Sequence, residues 1–391
     1  MKKIAMVCQR YGLEVNGGAE LHCRQLAEKL TERYDVEVLT SCAMDYVSWA
    51  NVYPAGESMI NGVRVKRFAV KKERNIKRFN KLSEEVFCDQ SHTEEQERRW
   101  IDEQGPYCPE LAEYIVQHHT EYHSVLFMTY LYYLSAMCLP KGMKNALLIP
   151  TAHNEPPIYL RHYKSVFENA AGLIYNTYEE KVLIEKLFSV ENTPSVMAGV
   201  GVDVPKLDAS LSAGGLYGLD KYIVYAGRID ESKGCGRLFD YFREYKKRNP
   251  GDLKLVLLGK PVMDIPKDPD IISLGFVSEV NKFVVIRDSV ALVLASEFES
   301  LSMVVLESMI LGRPVLVNGD CEVLKGHCIR SNAGLYFTGY FEFELSLSYL
   351  LSHPQEYSEM RENGRRYVND NYRWEDIVRK ISGLIEDIAK S

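Results

Sequence analysis

The sequence has no apolar run that could cross a membrane and no cysteine pair with the spacing of metal ligands. No stretch approaches the roughly 18 apolar residues that a transmembrane helix needs. The start, MKKIAMVCQRYG, has too short an apolar run for a signal peptide. The nine cysteines are scattered without a CxxC pair, and Cys321, His327 and Cys328 lack zinc-type spacing. We therefore expect a cytoplasmic protein with reduced thiols and no metal site.

Positive charge is in the minority, since 47 Lys and Arg stand against 54 Asp and Glu and the net charge is −7. Such a molecule as a whole lacks the electrostatic attraction that nucleic-acid binding requires. With 391 residues, of which 46% are hydrophobic, the chain is globular and fits two domains better than one core. We expect no nucleic-acid partner.

Short apolar segments alternate with longer amphipathic segments along the whole chain. One amphipathic segment, 20–34, has helical periodicity. This alternation predicts doubly wound parallel sheets with crossover helices. A stretch at 197–215 that is rich in Gly, Ser and Ala predicts a hinge between the two halves. Buried strands are predicted at 4–8, 36–40, 124–128, 146–150, 172–176, 222–226, 254–258, 271–274, 290–295 and 314–318.

Two carboxylates, Glu299 and Glu307, follow one of these strands. An apolar run at 289–295 leads into Glu299, and a helix that includes Leu301 and Met309 in its apolar face carries Glu307. One carboxylate thus lies where a strand ends and the other on the next helix, at the edge where open α/β sheets bind ligands. Carboxylates accept hydrogen bonds from adjacent hydroxyls, which favours a polyhydroxylated ligand. Acids are also common near helix N-termini for structural reasons alone.

Two cations follow an earlier strand. Arg228 comes directly after the strand, and Lys233 follows five residues later, just before a helix. Two cations beside a helix N-terminus form an anion site that suits a diphosphate, and Gly227, Gly234 and Gly236 allow close backbone approach. The alternative is a surface loop without a ligand.

The first half contains a comparable loop. Gly17 and Gly18 open a helix after the first strand, where backbone amides can face a phosphate. The pattern is not GxGxxG, and no acidic residue after the second strand points to NAD. His153 follows the strand-like ALLIP, at the edge where a ligand is expected, although most lone histidines are structural.

The segment 66–82 does not fit the α/β alternation. It carries eight Lys or Arg and one Glu. One interpretation is a solvated basic insertion near 66–110. The other is a face that docks on anionic lipid or on a phosphorylated acceptor. The interleaved apolar residues are Phe68, Val70, Ile76, Phe79 and Leu82.

Together these motifs resemble the family 4 glycosyltransferases, which have the GT-B fold. The likeness rests on GRIDESKG at 227–234, on the E-x7-E that continues as ESMILGRPVLV, on Gly17-Gly18, on GVGVDV at 199–204 and on NAGLYF at 332–337. It implies two Rossmann-like domains that face a cleft. It also implies an acceptor-side domain at 1–200, a nucleotide-sugar-binding domain at 201–372, and a C-terminal helix at 373–391 that packs back on the first domain.

The resemblance implies a role for each matched residue. Arg228 and Lys233 would hold a donor diphosphate, Glu307 the ribose, and Glu299 the hydroxyls of the transferred sugar. His153 matches the family's active-site histidine near the donor sugar. The chain departs from the family where Ser300-Leu301 replaces Gly-Phe or Ser-Phe, and where Asn154 replaces the Asp after the histidine. Further donor contacts are implied at Gly17, Gly18, Gly227, Phe276, Val277, Ser300, Leu301 and Ser302.

The resemblance thus predicts a retaining glycosyltransferase that moves a sugar from a UDP- or GDP-sugar to a glycan or lipid-linked acceptor. The two cations would stabilise the leaving diphosphate, without a metal or another cofactor, in a front-face substitution. Alternatives are a nucleotide-sugar epimerase of the same fold and a catalytically silent nucleotide-sugar-binding subunit. A peripheral contact of 66–82 with the inner membrane face is a further hypothesis.

Overall fold

A computed structural model gives the structure of residues 1–15, 17–88 and 92–390. The chain divides into two compact units. The first comprises Met1–Val200 together with the residues from Glu375 onward, and the second comprises Gly201–Trp374. The first break lies within the predicted hinge stretch, and the second lies two residues beyond 372.

The first unit is built on a mixed sheet. Its strands are β1 Lys3–Cys8, β2 Asp35–Ser41, β3 Gly56–Ile60, β4 Val63–Phe68, β5 Ser124–Met128, β6 Ala146–Ile149, β7 Gly172–Tyr175 and β8 Ser195–Met197. They lie in the order β3-β4-β2-β1-β5-β6-β7-β8. Only β3 pairs antiparallel, with β4, while the central strands are parallel and buried on both faces. Continuous apolar strands such as KIAMVC and SVLFM suit that position.

Helices cover both faces of this sheet. They are α1 Gly18–Leu30, α2 Ile76–Cys88, α3 Glu94–Gln104, α4 Pro109–His118, α5 Tyr133–Cys138, α6 Arg161–Glu168 and α7 Tyr178–Leu187. The helix predicted at 20–34 begins two residues earlier and ends at Leu30, because its last turn becomes a hydrogen-bonded turn into β2. α3 begins at a capping box in which Thr93 and Gln96 satisfy each other's backbone amides.

The basic segment 66–82 is not an insertion over its whole length. Its first residues belong to β4, which pairs in parallel with β2 inside the sheet. Its apolar side chains mostly turn inward, and Phe79 and Leu82 on α2 belong to the core that also holds Trp100 of α3. Of the five, Val70 and Leu82 are buried, Phe68 and Phe79 are partly buried, and Ile76 is exposed. The predicted lipid-docking face therefore lacks most of its apolar surface.

The second unit is built on a parallel sheet. Its strands are β9 Tyr222–Ala226, β10 Lys254–Leu258, β11 Ile271–Gly275, β12 Leu292–Leu294, β13 Val315–Asn318 and β14 Gly334–Phe337, in the order β11-β10-β9-β12-β13-β14. Its helices are α8 Ala213–Tyr217, α9 Cys235–Arg248, α10 Glu279–Asp288, α11 Met303–Ile310, α12 Glu322–Ser331, α13 Tyr340–Ser352 and α14 Pro354–Asn371.

Each sheet has a point where the chain reverses its lateral direction. In the second unit the chain proceeds from β9 through β10 to β11 and then returns to β12 on the other side of β9. In the first unit the same reversal separates β1 from β5. The loops that leave the two central strands diverge at such a point and open a crevice, which is where doubly wound sheets bind ligands.

The last helix, α15 Trp374–Ile388, belongs with the first unit from Glu375 onward. Glu386 accepts a hydrogen bond from Tyr34 at 3.2 Å and pairs with Lys2 and His123. The side chain of Ile388 fills the space over Gly172 in β7. None of the described helices is long and apolar enough to span a bilayer.

Candidate functional site

The loop after β9 holds a cation at the reversal point of the second sheet. Asp230 caps the short turn Glu231–Lys233 by accepting hydrogen bonds from the Lys233 amide at 3.0 Å and the Ser232 hydroxyl at 2.6 Å. The Nε of Arg228 also donates to this carboxylate. Burial raises the pKa of Asp230, but Ser232 and Arg228 outweigh it and the pKa falls below its ordinary value. Arg228 is thus held at the strand end with 37% of its side chain exposed.

Lys233 joins this loop to the loop after β12. Its Nζ donates to Glu299 Oε1 at 2.8 Å, and the two side chains are 32% and 16% exposed. Burial lowers the pKa of Lys233, but the Glu299 carboxylate overcomes this and raises the pKa above its ordinary value. The predicted residues of the two loops therefore meet as a charged pair that remains within reach of a ligand.

Close backbone contact brings the two loops together. Gly234 has φ +68°, and a Cβ at this position would lie 2.1 Å from the carbonyl oxygen of Ala295. Arg237, on α9, donates from Nη2 to the same carbonyl at 2.7 Å. Asn318, at the end of β13, donates to the carbonyl of Ser296 at 3.1 Å. Arg237 and Asn318 were not predicted, because their contacts are with backbone atoms far along the chain.

Glu307 forms a second ion pair, on the helix that follows the Glu299 loop. It is nearly buried on α11, and Lys282 on α10 donates to its Oε1 at 2.8 Å. Lys282 was not predicted either. α11 begins at Met303, so the prediction that Leu301 lies on the helix was wrong. Ser302 has φ +65°, which separates the buried Leu301 from the helix.

The remaining predicted donor contacts of the second unit lie in different places. Ser300 belongs to the Glu299 loop, and Gly227 follows β9 with its amide donating to Leu258 at 2.9 Å. Phe276 and Val277 follow β11, which is the edge strand of the sheet. Phe276 is 74% exposed.

In the first unit, the loop after β1 is organised by a buried ion pair. Arg10 donates from Nε to Glu20 Oε1 at 2.9 Å, and Gln9 donates to the same oxygen at 2.8 Å. Both charged side chains are 6% exposed. Gly17 caps α1 through its carbonyl, and Gly18 opens the helix with no atom within 4 Å of where a Cβ would be. The backbone at Gly18 is therefore open to an approaching group.

His153 lies in the loop after β6. Its Nε2 is 3.3 Å from Glu155, which also accepts a hydrogen bond from Tyr130 at 3.0 Å. The backbone of this loop is fixed by Glu180, which was not predicted. Each Glu180 oxygen accepts a backbone N–H at 2.6 Å, one from Ala152 and one from the end of β7. Burial raises the pKa of Glu180 to about 8.

Cys321 caps α12, and His327 and Cys328 lie on that helix. The His327 Nε2 lies 2.8 Å from the Leu301 carbonyl, and Nδ1 lies 3.1 Å from the Tyr367 hydroxyl. Within residues 1–15, 17–88 and 92–390, no group of three or more His, Cys, Asp or Glu side chains is arranged to hold a metal ion.

The sequence is similar to proteins of the glycosyltransferase class. Residues 220–338 match the family model described as "Glycosyl transferases group 1". The chain is 24% identical to an uncharacterized glycosyltransferase of Methanocaldococcus jannaschii, over 97% of this chain and 96% of that one. It is 35% identical to the glycosyltransferase 1 domain-containing protein 1 of Xenopus tropicalis, over 23% of this chain and 26% of that one.

Solved structures resemble the chain over its whole length. The sucrose-phosphate synthase from Thermosynechococcus elongatus has a TM-score of 0.73 at 16% identity and covers 100% of both chains. HepE of Anabaena, in complex with UDP and glucose, has a TM-score of 0.69 at 14% identity and covers 99% of this chain and 100% of its own. These likenesses confirm the predicted GT-B fold of two Rossmann-like domains.

The matched domain and the full-length relative also confirm the prediction of an enzyme of the glycosyltransferase class. The narrower assignment to family 4 stays a prediction.

Proposed function

We propose that the protein is a retaining glycosyltransferase that transfers a sugar from a UDP- or GDP-sugar to a hydroxyl of a glycan or lipid-linked acceptor. The observation that carries this proposal is the Lys233–Glu299 pair, which joins two loops at the reversal point of the second sheet. Arg228 lies on the same loop as Lys233. In a donor with a diphosphate and a sugar, the phosphates can pair with Arg228 and Lys233, and the sugar hydroxyls can donate to Glu299.

The two cations would act on the leaving group. Departure of a nucleoside diphosphate leaves negative charge on its oxygens, and the attacked carbon takes on oxocarbenium character. Arg228 can offer planar paired donors, while Lys233 offers a point charge. Because Asp230 and Glu299 hold these cations before a ligand arrives, little reorganisation is needed as charge develops.

The two glutamates would hold the donor at different positions. Glu299 would accept hydrogen bonds from hydroxyls of the transferred sugar, and its charge keeps Lys233 protonated. Glu307 would accept from the ribose hydroxyls, with Lys282 keeping the carboxylate in place. Neither is proposed as a nucleophile. We assign proton acceptance to the leaving phosphate, so that the acceptor attacks the face from which the diphosphate departs.

Two structural neighbours favour UDP over GDP as the donor nucleotide. HepE of Anabaena, a structural neighbour, was solved with UDP, with UDP and glucose, and with UDP-glucose. The neighbouring trehalose-6-phosphate enzyme of E. coli was solved with UDP-2-fluoro glucose. A role of His153 at the donor sugar, and contacts of Phe276 and Val277 with the base, stay predictions from the resemblance.

The acceptor is proposed to bind the first unit. The first unit carries the segment 66–82, and its basic residues include Lys72 and Arg78, which pair with the buried Glu103. With most apolar side chains of that segment turned inward, we expect a polar acceptor group rather than a lipid surface at this face. A peripheral location at the inner membrane face stays a hypothesis.

Slow donor hydrolysis tests the proposal without knowledge of the acceptor. The protein is incubated with UDP- and GDP-sugars, and nucleotide release is followed. We expect release with one donor and its loss in Lys233→Ala and Glu299→Ala. The matched control is Lys254→Ala, which removes a lysine–aspartate pair with Asp270 at the opposite end of β10. That variant should release nucleotide at the wild-type rate.

The other outcomes identify the alternatives. Binding of a nucleotide-sugar without turnover, with every acceptor tried, would favour a silent binding subunit. Conversion of the donor sugar without nucleotide release would favour an epimerase. Once an acceptor is known, NMR of the product's anomeric proton decides retention. A trapped sugar–Glu299 adduct that turns over would replace front-face substitution by double displacement.

A further inference from the structure

His327 is a fully buried side chain on α12 that contacts the Glu299 loop. Its Nε2 lies 2.8 Å from the Leu301 carbonyl oxygen. A carbonyl can only accept, so Nε2 carries the proton and donates it. Leu301 is two residues beyond Glu299 and directly precedes Ser302, whose φ of +65° marks the start of α11. The hydrogen bond therefore restrains the backbone that carries the Glu299 carboxylate.

The other ring nitrogen of His327 continues into a chain of hydroxyls. Nδ1 lies 3.1 Å from the hydroxyl of Tyr367 on α14. In a neutral imidazole with the proton on Nε2, Nδ1 accepts, so Tyr367 donates. The Tyr367 hydroxyl then lies 3.2 Å from that of Tyr372. The three rings pack against one another at centroid separations of 5.5 to 6.2 Å.

The far end of this chain is where the polypeptide passes between the two units. The carbonyl of Tyr372 accepts a hydrogen bond from the Val202 amide at 3.1 Å. The indole of Trp374 lies so close to Gly201 that a Cβ there would be 2.3 Å from the ring. Since the breaks between units follow Val200 and Trp374, both passing segments, 201–202 and 372–374, are joined at this place.

We infer that His327 is a positioning residue that fixes the Glu299 loop and couples it to the two passing segments, 201–202 and 372–374. The chain runs from the Leu301 carbonyl through His327, Tyr367 and Tyr372 to Val202. Loss of one member removes a hydrogen bond from the buried His327 or Tyr372, which weakens the restraint on the segment at the other end. The effect of His327 on donor turnover rests on the proposed function, whereas the coupling rests on these contacts.

Hydrogen–deuterium exchange measures the coupling without any substrate. Tyr367→Phe removes the central hydroxyl and keeps the ring, and His327→Leu removes both ring nitrogens. We expect amide exchange to rise about fivefold to tenfold in the 299–303 segment in both variants, the loss that one hydrogen bond implies. In Tyr367→Phe and His327→Leu the 201–203 segment should also exchange faster.

The matched control is Tyr357→Phe, on the same helix. The Tyr357 hydroxyl donates to the carbonyl of Val290 at 2.7 Å, ahead of β12, and accepts from Arg313 at 3.3 Å. This variant should leave exchange in both segments at the wild-type rate. Unchanged exchange at 299–303 in both Tyr367→Phe and His327→Leu would overturn the coupling. If His327→Leu does not fold, Tyr367→Phe and His327→Gln decide the question.

Comparing kcat with the Kd for the free nucleotide distinguishes a positioning role from a purely structural one. With the donor identified by nucleotide release, we expect kcat to fall about tenfold in Tyr367→Phe while the Kd for the free nucleotide stays within about twofold. His327→Gln, whose amide can still donate to Leu301, should recover part of the loss seen in His327→Leu. A wild-type protein that turns over no donor would refute the proposed function, while the exchange experiment would still decide the coupling.

Discussion

The two sheets place charge differently at the ends of their central strands. In the first unit, Arg10 and Glu20 form a pair that is 6% exposed on each side, and further hydrogen bonds surround it. In the second unit, Arg228 and Lys233 keep about a third of their side chains exposed beside their carboxylates. A buried pair resists separation, whereas in a partly exposed pair the cation can exchange its carboxylate for a ligand anion at small cost. The same topology therefore supports a loop with a buried ion pair in one unit and the proposed anion site in the other.

The variant expected to lose the most unfolding free energy is Arg10→Ala. It leaves the Glu20 carboxylate buried without its guanidinium, which typically costs about 3–5 kcal/mol of unfolding free energy. Lys233→Ala, at the exposed pair, should cost less than about 1 kcal/mol. Chemical denaturation measures both. Equal losses would contradict the difference in burial, and Arg10→Met combined with Glu20→Met should recover most of the loss.

Changes at the partly exposed cations should lower kcat strongly although they cost little unfolding free energy. Arg228→Ala removes a cation that is proposed to stabilise the departing diphosphate, and we expect kcat to fall about 10²–10³-fold, or roughly 3–4 kcal/mol. Its free energy of unfolding should stay within about 1 kcal/mol of wild type, since the side chain is partly exposed. Arg228→Lys keeps the charge without the planar fork and should recover part of the rate. An unchanged kcat in Arg228→Ala would remove this residue from the proposed chemistry.

The buried carboxyl of Glu180 predicts that the unfolding free energy depends on pH. Its pKa is raised from 4.5 to about 8 by burial, so the folded state binds a proton more tightly than the unfolded state. The stability that this proton confers is fully present below about pH 4.5 and is lost as pH rises through about 8. Glu180→Gln does not titrate, and at pH 5 it should cost about 1–3 kcal/mol because its amide cannot accept both backbone N–H groups.

The expected signature is therefore a gap in unfolding free energy between wild type and Glu180→Gln that closes as pH rises from 5 and reverses its sign before pH 9, because wild type loses about 1.4 kcal/mol per pH unit between the two pKa values. Unfolding free energies at several pH values measure it. Glu185→Gln, on the same helix and paired with Lys181 near the surface, is the control and should show no such trend. A gap that stays constant with pH would mean that Glu180 keeps one protonation state in the folded protein over this range.

The sequence identified the charged residues of the second unit because each follows its own strand in chain order. Arg228, Lys233 and Glu299 could be assigned to one sheet edge from periodicity alone. Their supporting partners could not, because lateral neighbours depend on the fold. Lys282 meets Glu307 from 25 positions away, and Arg237 meets the end of β12 from 58 positions away.

The first unit was harder to predict for two physical reasons. β4 reads as VRVKRF, and Arg67 takes one of its buried positions by donating to the Tyr11 carbonyl and the Ser58 hydroxyl. A cation at a buried position interrupts the apolar pattern of the strand, so the sequence of this segment resembles a basic insertion. Glu180 has the spacing of a residue near a helix N-terminus, and only the tertiary fold brings it beneath the His153 loop.

The smallest expected effect is that of Gly18→Ala, and it tests whether the first unit contacts a donor. A Cβ at Gly18 meets nothing within 4 Å, so the variant should be as stable as wild type or up to about 1 kcal/mol more stable. Gly234→Ala is the contrast, because its φ of +68° and the Ala295 carbonyl at 2.1 Å should cost more than about 1 kcal/mol. If backbone amides at Gly18 approach the donor phosphates, the KM for the donor should rise in Gly18→Ala although the fold is intact. An unchanged KM would place the proposed donor contacts in the second unit alone, at its partly exposed ion pairs.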